Sequence, residues 1–292
     1  MKLLAKFNLI LGLVLGAGLA VAAAVSHQFL QADAREEVLR QARLMIEAMQ
    51  SVRDYTTREI KPLLINEAEH QRSFLPQTVP AFAATENFAE LRQSHPDYAY
   101  KEAVLNPTNP RDRAVDWEAD VINVFRNRPG AMKELVGERD TPTGRSLYLA
   151  RPIKAVTPCL ECHSVPSEAP AAMIHRYGSD NGFGWQPNEI VGAQIVSVPM
   201  ALPIHMANQA FQTLVSFLAA VFLASLVLLD FLLLFAVVRP LRRLSAMADQ
   251  ISVGQMDIPE LPATGKDEIA VLAGSFNRMR RSLDRALKML DS

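Results

Sequence analysis

Two stretches constrain this chain before any motif does. Phe7 to Ser26 carries no charge, and Leu214 to Val238 is a second apolar run broken only by Asp230. A helix of about 20 residues rises about 30 Å, the thickness of a bilayer's hydrocarbon core, so both runs are predicted to cross a membrane. For the first run a cleaved signal peptide competes, because Lys2 and Lys6 form a basic leader and Ala22-Ala23-Ala24 offers small residues. The apolar run is longer than the roughly 7–15 residues of a signal peptide's core, which favours a retained helix.

The charges beside the runs predict their orientation. Lys2 and Lys6 precede the first, and Arg239, Arg242 and Arg243 follow the second. Basic flanks stay cytoplasmic, so residues 27 to about 210 are expected outside, which in a bacterium is the periplasm beyond the inner membrane. Thiols there are normally oxidised or chemically modified. A net charge of -1, with the basic residues dispersed, gives no reason to expect a nucleic-acid partner.

The outer segment opens with helical spacing. Val38, Met45 and Val52 recur every seven residues with Ala42, Met49 and Tyr55 between them, predicting an amphipathic helix from roughly Gln28 to Glu59 that Pro62 ends. Phe74 to Asn109 is rich in Pro, Tyr and Asn and favours turns over regular structure. Asp116 to Phe125 resumes helical spacing, while Ser146 to Ile153 and Ile190 to Pro199 read as strands. Together these predict a small α+β domain.

Between the two strand candidates, in a predicted loop, lies Cys159-Leu160-Glu161-Cys162-His163, which holds both cysteines of the chain. Two thiols three apart can add across the two vinyl groups of one haem, and the adjacent histidine can then ligate the iron from the proximal side. A structural zinc site would need a second ligand pair, and neither another Cys pair nor His-x-x-x-His follows. A thioredoxin-like pair would want a helix N-terminus at the first cysteine, and a disulfide over so short a loop adds little stability. One covalently attached haem c is therefore expected, on Cys159 and Cys162 with His163 as proximal ligand. His175, Met173, His95 and His70 are the candidates for the opposite axial position. Arg111, Arg113, Arg145 and Arg151 are available to haem propionates or are solvated surface charges. No nucleophile–base pair or phosphate-binding loop stands out, so an enzyme is not expected.

Past the second apolar run, Leu241, Leu244, Ala248 and Ile251 step by three and four, and Ile269, Leu272, Phe276, Met279, Leu283, Ala286 and Leu290 do the same after a linker. Two short seams joined this way predict parallel helical packing in a dimer. With Pro240, Gly254, Met256, Ile258 and Asp267-Glu268-Ile269, this segment resembles the HAMP linker of bacterial transmembrane receptors. The outer segment is similar to the periplasmic single-haem c-type sensor domain with a PAS-like fold. That likeness rests on Tyr55-Thr56, Tyr98 to Ala103, Leu105 to Pro110, Trp117-Glu118 and the Cys159-x-x-Cys162-His163 motif.

The resemblance implies a transmembrane helix in 1–27, a haem-binding sensor domain in 28–209, a second transmembrane helix in 210–238 and a HAMP domain in 239–292. It implies a homodimeric membrane sensor, paired through the HAMP and transmembrane helices, that reports a redox change or a diatomic gas; receptors of this type couple two membrane helices, which also argues for keeping the first. No output domain follows before Ser292, so a separate cytoplasmic output protein is expected. A membrane-anchored c-type cytochrome for electron transfer is the alternative, although it has no need of a HAMP segment. A receptor whose cysteines form a disulfide is a third possibility. Gly12, Gly16 and Gly18 offer a small-residue face for helix packing. Asp230, about nine residues or 13 Å from Arg239, is expected to face a bundle interior or a water defect, or to pair across a dimer.

Overall fold

The computed structural model describes residues 3–128, 130 and 132–290. Lys2 and the end of the chain at Ser292 lie outside the described residues. The structure divides into two compact units, Gln28–Ala210 and a second made of Met1–His27 with Phe211–Ser292.

In the first unit the strands alternate side chains between two covered faces. They are β1 (Ala99–Val104), β2 (Leu135–Thr141), β3 (Gly144–Lys154) and β4 (Ile190–Pro199). They form one antiparallel sheet in the order β1-β4-β3-β2. Tyr100, Leu147, Leu149, Val196 and Val198 point to one face, against α1 (Leu3–Tyr55) and α4 (Pro80–Ser94). Ala103, Ala150, Ala193 and Ile195 point to the other, against Val121, Ile122 and Phe125 of α5 (Asp116–Asn127). The expected α+β architecture is thus a sheet with helices on both faces, which is why β4 is apolar on both of its sides.

Several local expectations change. The buried stripe of α1 in this unit is Ala34, Val38, Ala42, Ile46 and Met49, with Met45 and Val52 flanking it. Tyr55 is off the stripe and exposed, because the steps are mostly four residues rather than an even seven-residue seam. Pro62 does not end the helix: a π turn over Thr56–Ile60 follows α1, and α2 (Lys61–Leu64) continues with Pro62 in its first turn. A widened turn just before a proline absorbs both its missing N–H and its ring. After α2 comes α3 (Ala68–Arg72), and the stretch from Phe74 to Asn109, expected to favour turns, contains α4 and β1. Pro80 sits in the first turn of α4, where its lack of an N–H costs nothing.

In the second unit, α8 (Ala201–Leu233) passes through a second π turn, Leu234–Val238, into α9 (Arg239–Ser252), and α10 (Glu268–Leu290) follows a connector. By length and composition the apolar parts of α1 and α8 are both able to cross a membrane. Asp230 pairs within the chain: Asn8 Nδ2 donates to its Oδ2 at 2.9 Å. Added Cβ atoms at Gly12, Gly16 and Gly18 would meet nothing within 4 Å, so that face is open in a single chain.

Gly254, at φ +87°, closes α9 with two bonds, its own N–H to Ile251 and that of Gln255 to Gln250. Asp267 Oδ1 caps α10 by accepting the Ala270 N–H at 2.7 Å. Asn277 holds the connector through both the N–H and the carbonyl of Leu261. The residues α10 buries are Ala270, Ala273 and Asn277, beside the expected seam rather than on it. Seam residues Phe276, Met279 and Leu283 instead line an open apolar groove of about 390 Å³ with Ala248, Ile251 and Met256. The groove leaves the seam without a cover in one chain.

Candidate functional site

The cysteine motif is not a loop. Thr157–His163 forms α6, with Pro158 in the first turn and the Cys159 N–H bonded to the Val156 carbonyl at 2.8 Å. A helix changes what the spacing means. Positions i, i+3 and i+4 share a face, so Cys159, Cys162 and His163 are presented together. Both cysteines are free thiols and no disulfide joins them. Cys159 also stands at a short helix's first turn, the feature a thioredoxin-like pair would want. Burial pushes the Cys162 thiol above the ordinary range.

His163 is the most constrained residue of the three. Its Nδ1–H donates to the Gly182 carbonyl at 2.7 Å, and Thr108 Oγ1 lies 3.4 Å from the same nitrogen. The ring stacks on Trp185, with centroids 4.0 Å apart and planes 15° from parallel. A bond from Nδ1 to a backbone carbonyl fixes the tautomer and leaves Nε2 as the free lone pair, the usual preparation of a metal-ligating histidine. Burial also lowers the pKa of His163, which keeps the imidazole neutral and ligand-competent at pH 7.

The partner segment is the loop between α7 (Ala171–Tyr177) and β4. Its backbone is zipped to the end of α6, Gly184 N–H to the Ser164 carbonyl and Trp185 N–H to the His163 carbonyl. Gly182 adopts φ +84°, and a Cβ there would overlap Thr108 Oγ1 and lie 2.7 Å from the Thr108 nitrogen. Only glycine fits that approach. Gly182 and Trp185 are the site residues that motif reasoning misses. The legible trace of them is the glycine density of Gly178 to Gly184 ahead of a tryptophan.

The structure gathers some predicted residues and separates others. His70 and Met173 are both buried, on α3 and α7, which pack together. His70 Nδ1 accepts the Leu75 N–H, and its ring leans on Phe74, which meets Tyr177 edge-on. His175 is exposed, as is His95, whose ring meets Tyr98. Among the described residues none of these four forms a hydrogen bond or ring contact with His163. Of the four arginines considered for haem propionates, Arg113 donates to Asn181 Oδ1 in the loop that holds His163, at 3.3 Å. Arg111 pairs with Glu86, Arg145 with Glu138 and Asp140, and Arg151 with Glu47 and Glu134.

The donor set fits a covalently attached haem: two free thiols and an oriented neutral imidazole on one helical face, beside exposed apolar Val156 and Val165. It fits a zinc site less well, since among the described residues no group of three or more His, Cys, Asp and Glu side chains is placed to hold a metal ion.

The Tll0287-like family model matches residues 31–199, and the HAMP domain model matches residues 232–285. A crystal structure of the cyanobacterial heme-protein Tll0287 aligns at 16% identity with a TM-score of 0.44, over 56% of this chain and 95% of that one. No curated protein matches the chain.

Proposed function

The chain belongs to the Tll0287-like family, with a HAMP domain after the family segment, and on that premise we propose that it is a membrane-spanning haem c receptor. The α6 face would carry one haem, thioether-linked at Cys159 and Cys162 and ligated by His163 Nε2. The single observation that carries this is the His163 Nδ1–H bond to Gly182, which leaves Nε2 as the ligating atom on the face that presents both thiols. When bound, the haem supplies a metal centre that changes oxidation state or takes a diatomic ligand. The chain's own residues do the rest. Gly182 and Trp185 hold the imidazole, burial keeps it neutral, and β4 leads directly into α8 and from there to the HAMP helices.

The HAMP domain is what favours signalling over electron transfer, because a cytochrome needs no bistable helical linker. The sensor unit would face the periplasm, and the HAMP unit would pair with a second copy in the cytoplasm and pass the change to an output protein there. The open groove along Phe276, Met279 and Leu283 supports that pairing. The test is intact mass and visible spectra of protein made in a host that attaches haem c. A haem-sized mass increment, lost in Cys159→Ser/Cys162→Ser and spectrally altered in His163→Ala, is expected. No increment, or a His163→Ala spectrum unchanged in both oxidation states, would refute the assignment.

A further inference from the structure

The second unit carries a groove that the haem reading does not use. Leu233 precedes the π turn Leu234–Val238, and Val238 ends it. A turn closed from i to i+5 brings residues five apart to one side, where an α-helix would set them well apart. On α1, Leu4 and Phe7, and Lys6 and Ile10, share a side at spacings of three and four. These six residues line a groove of about 240 Å³. On both helices it lies within a turn of the Asn8–Asp230 bond.

The groove is apolar with a basic rim. Five of its lining residues are apolar and the sixth is Lys6. Arg239 follows Val238 and lays its guanidinium over the Phe235 ring, 4.1 Å from the centroid, and Arg242 and Arg243 come one turn later. Among the described residues none of these four cations has a carboxylate partner, whereas Arg280 and Arg281 of the same unit share Glu260. Asp230 is the only acidic residue between Phe211 and Ala248, and Asn8 already donates to it. An apolar groove rimmed by unpaired cations suits a molecule with an apolar chain and an anionic head. A second copy of the chain suits it less, because a parallel copy brings the same four cations to the same depth, where like charges repel.

We propose that this groove binds an anionic phospholipid, with part of one acyl chain against Phe7, Ile10 and Leu233 and the phosphate on Lys6. Arg239, next to Val238, adds to the positive field there. The site is independent of the haem.

Native mass spectrometry of the full chain tests this, with the protein released from detergent micelles that hold phosphatidylglycerol or phosphatidylcholine of identical acyl chains. Phosphatidylglycerol is expected to be retained in preference. One cation at a membrane surface is worth about fivefold in affinity. Lys6→Gln should therefore cut the phosphatidylglycerol adduct about fivefold and leave the phosphatidylcholine one unchanged, while Lys6→Arg keeps both. Ile10→Trp fills the groove and should remove the adduct; Val21→Trp, on an exposed position further along α1, should not. Equal retention of the two lipids, or a phosphatidylglycerol adduct unmoved by Lys6→Gln, overturns the proposal. So does an Ile10→Trp variant that keeps its lipid and loses its dimer, which would make the groove a contact between copies. If Ile10→Trp fails to insert, the comparison of Lys6→Gln with Lys6→Arg decides alone.

Discussion

Replacing Gly182 by alanine should damage the site without touching any of the three motif residues. Two costs arise at once. A residue other than glycine at φ +84° pays about 1–2 kcal/mol for the left-handed backbone. The new Cβ also meets Thr108, overlapping Oγ1 and standing 2.7 Å from the backbone nitrogen. The hydroxyl can rotate away, but the nitrogen belongs to the chain between β1 and α5 and moves only with it. Overpacking of this kind costs about 1–3 kcal/mol, so the domain should lose about 2–5 kcal/mol in all, a large share of a typical 5–15 kcal/mol.

The alternative to bearing that cost is for the loop to withdraw, which takes the Gly182 carbonyl away from His163 Nδ1 and Trp185 off the ring. The two outcomes separate experimentally. Chemical denaturation reads the stability loss, and Trp185 emission in a Trp117→Phe background reads the stacking. Adding Thr108→Ala should recover only part of the loss, since it removes the hydroxyl and leaves the backbone contact and the φ strain. A Gly182→Ala protein within about 0.5 kcal/mol of wild type, with unchanged Trp185 emission, would refute the packing argument.

Single residues carry the other predictions. Burial raises the pKa of Asp112 from 3.8 to about 6 against the pull of Arg111, so the folded domain holds a proton there that the unfolded chain has released. The stability it contributes is complete below about pH 4 and is lost as the pH rises through 6; Asp112→Asn should flatten that slope and gain about 1–3 kcal/mol at pH 7, read by denaturation across pH. Asp230→Leu deletes the acceptor of the Asn8 amide, a bond worth about 0.6 and at most about 1.7 kcal/mol in a membrane. Spin labels on α1 and α8 should show a broader distance distribution in that variant and a wild-type one in Asp230→Asn. Phe276→Asp puts a charge in the open groove and should lower the crosslinked dimer fraction in membranes, whereas the exposed Val271→Asp should not.

Legibility in the sequence followed the range of the interaction concerned. The apolar lengths of the two membrane segments, the alternation of β3 and β4, and the spacing of α5 are local; α5, β3 and β4 appear within two residues of their expected limits, and the apolar runs lie within longer helices. β2 was not legible because Leu135 to Thr141 alternates weakly and packs at the sheet edge, with Glu138 and Asp140 turned to solvent-side arginines. β1 was hidden by the prolines and asparagines on both sides of it, although Tyr98 to Glu102 carries the aromatic content of a strand. His163's partners were out of reach for a different reason. Gly182 and Trp185 lie about twenty residues on, and nothing local says that their loop returns to the end of α6.

The proline at position 62 shows why a local rule fails, and the failure shapes the site. Read alone, Pro62 removes an N–H and stops a helix. In the structure the preceding residues widen into a π turn, and at Pro240 the chain does the same over Leu234–Val238. In both places the proline is the second residue after the π turn, so the ring meets a backbone already opened for it. Had the helix stopped before Pro62, Lys61 would have no defined direction. Because it continues, Lys61 is held 3.4 Å from Glu161 between the two cysteines, one π turn beyond Arg53 and its buried partner Glu102. The residue that reads as the end of α1 is the one that carries its line to α6.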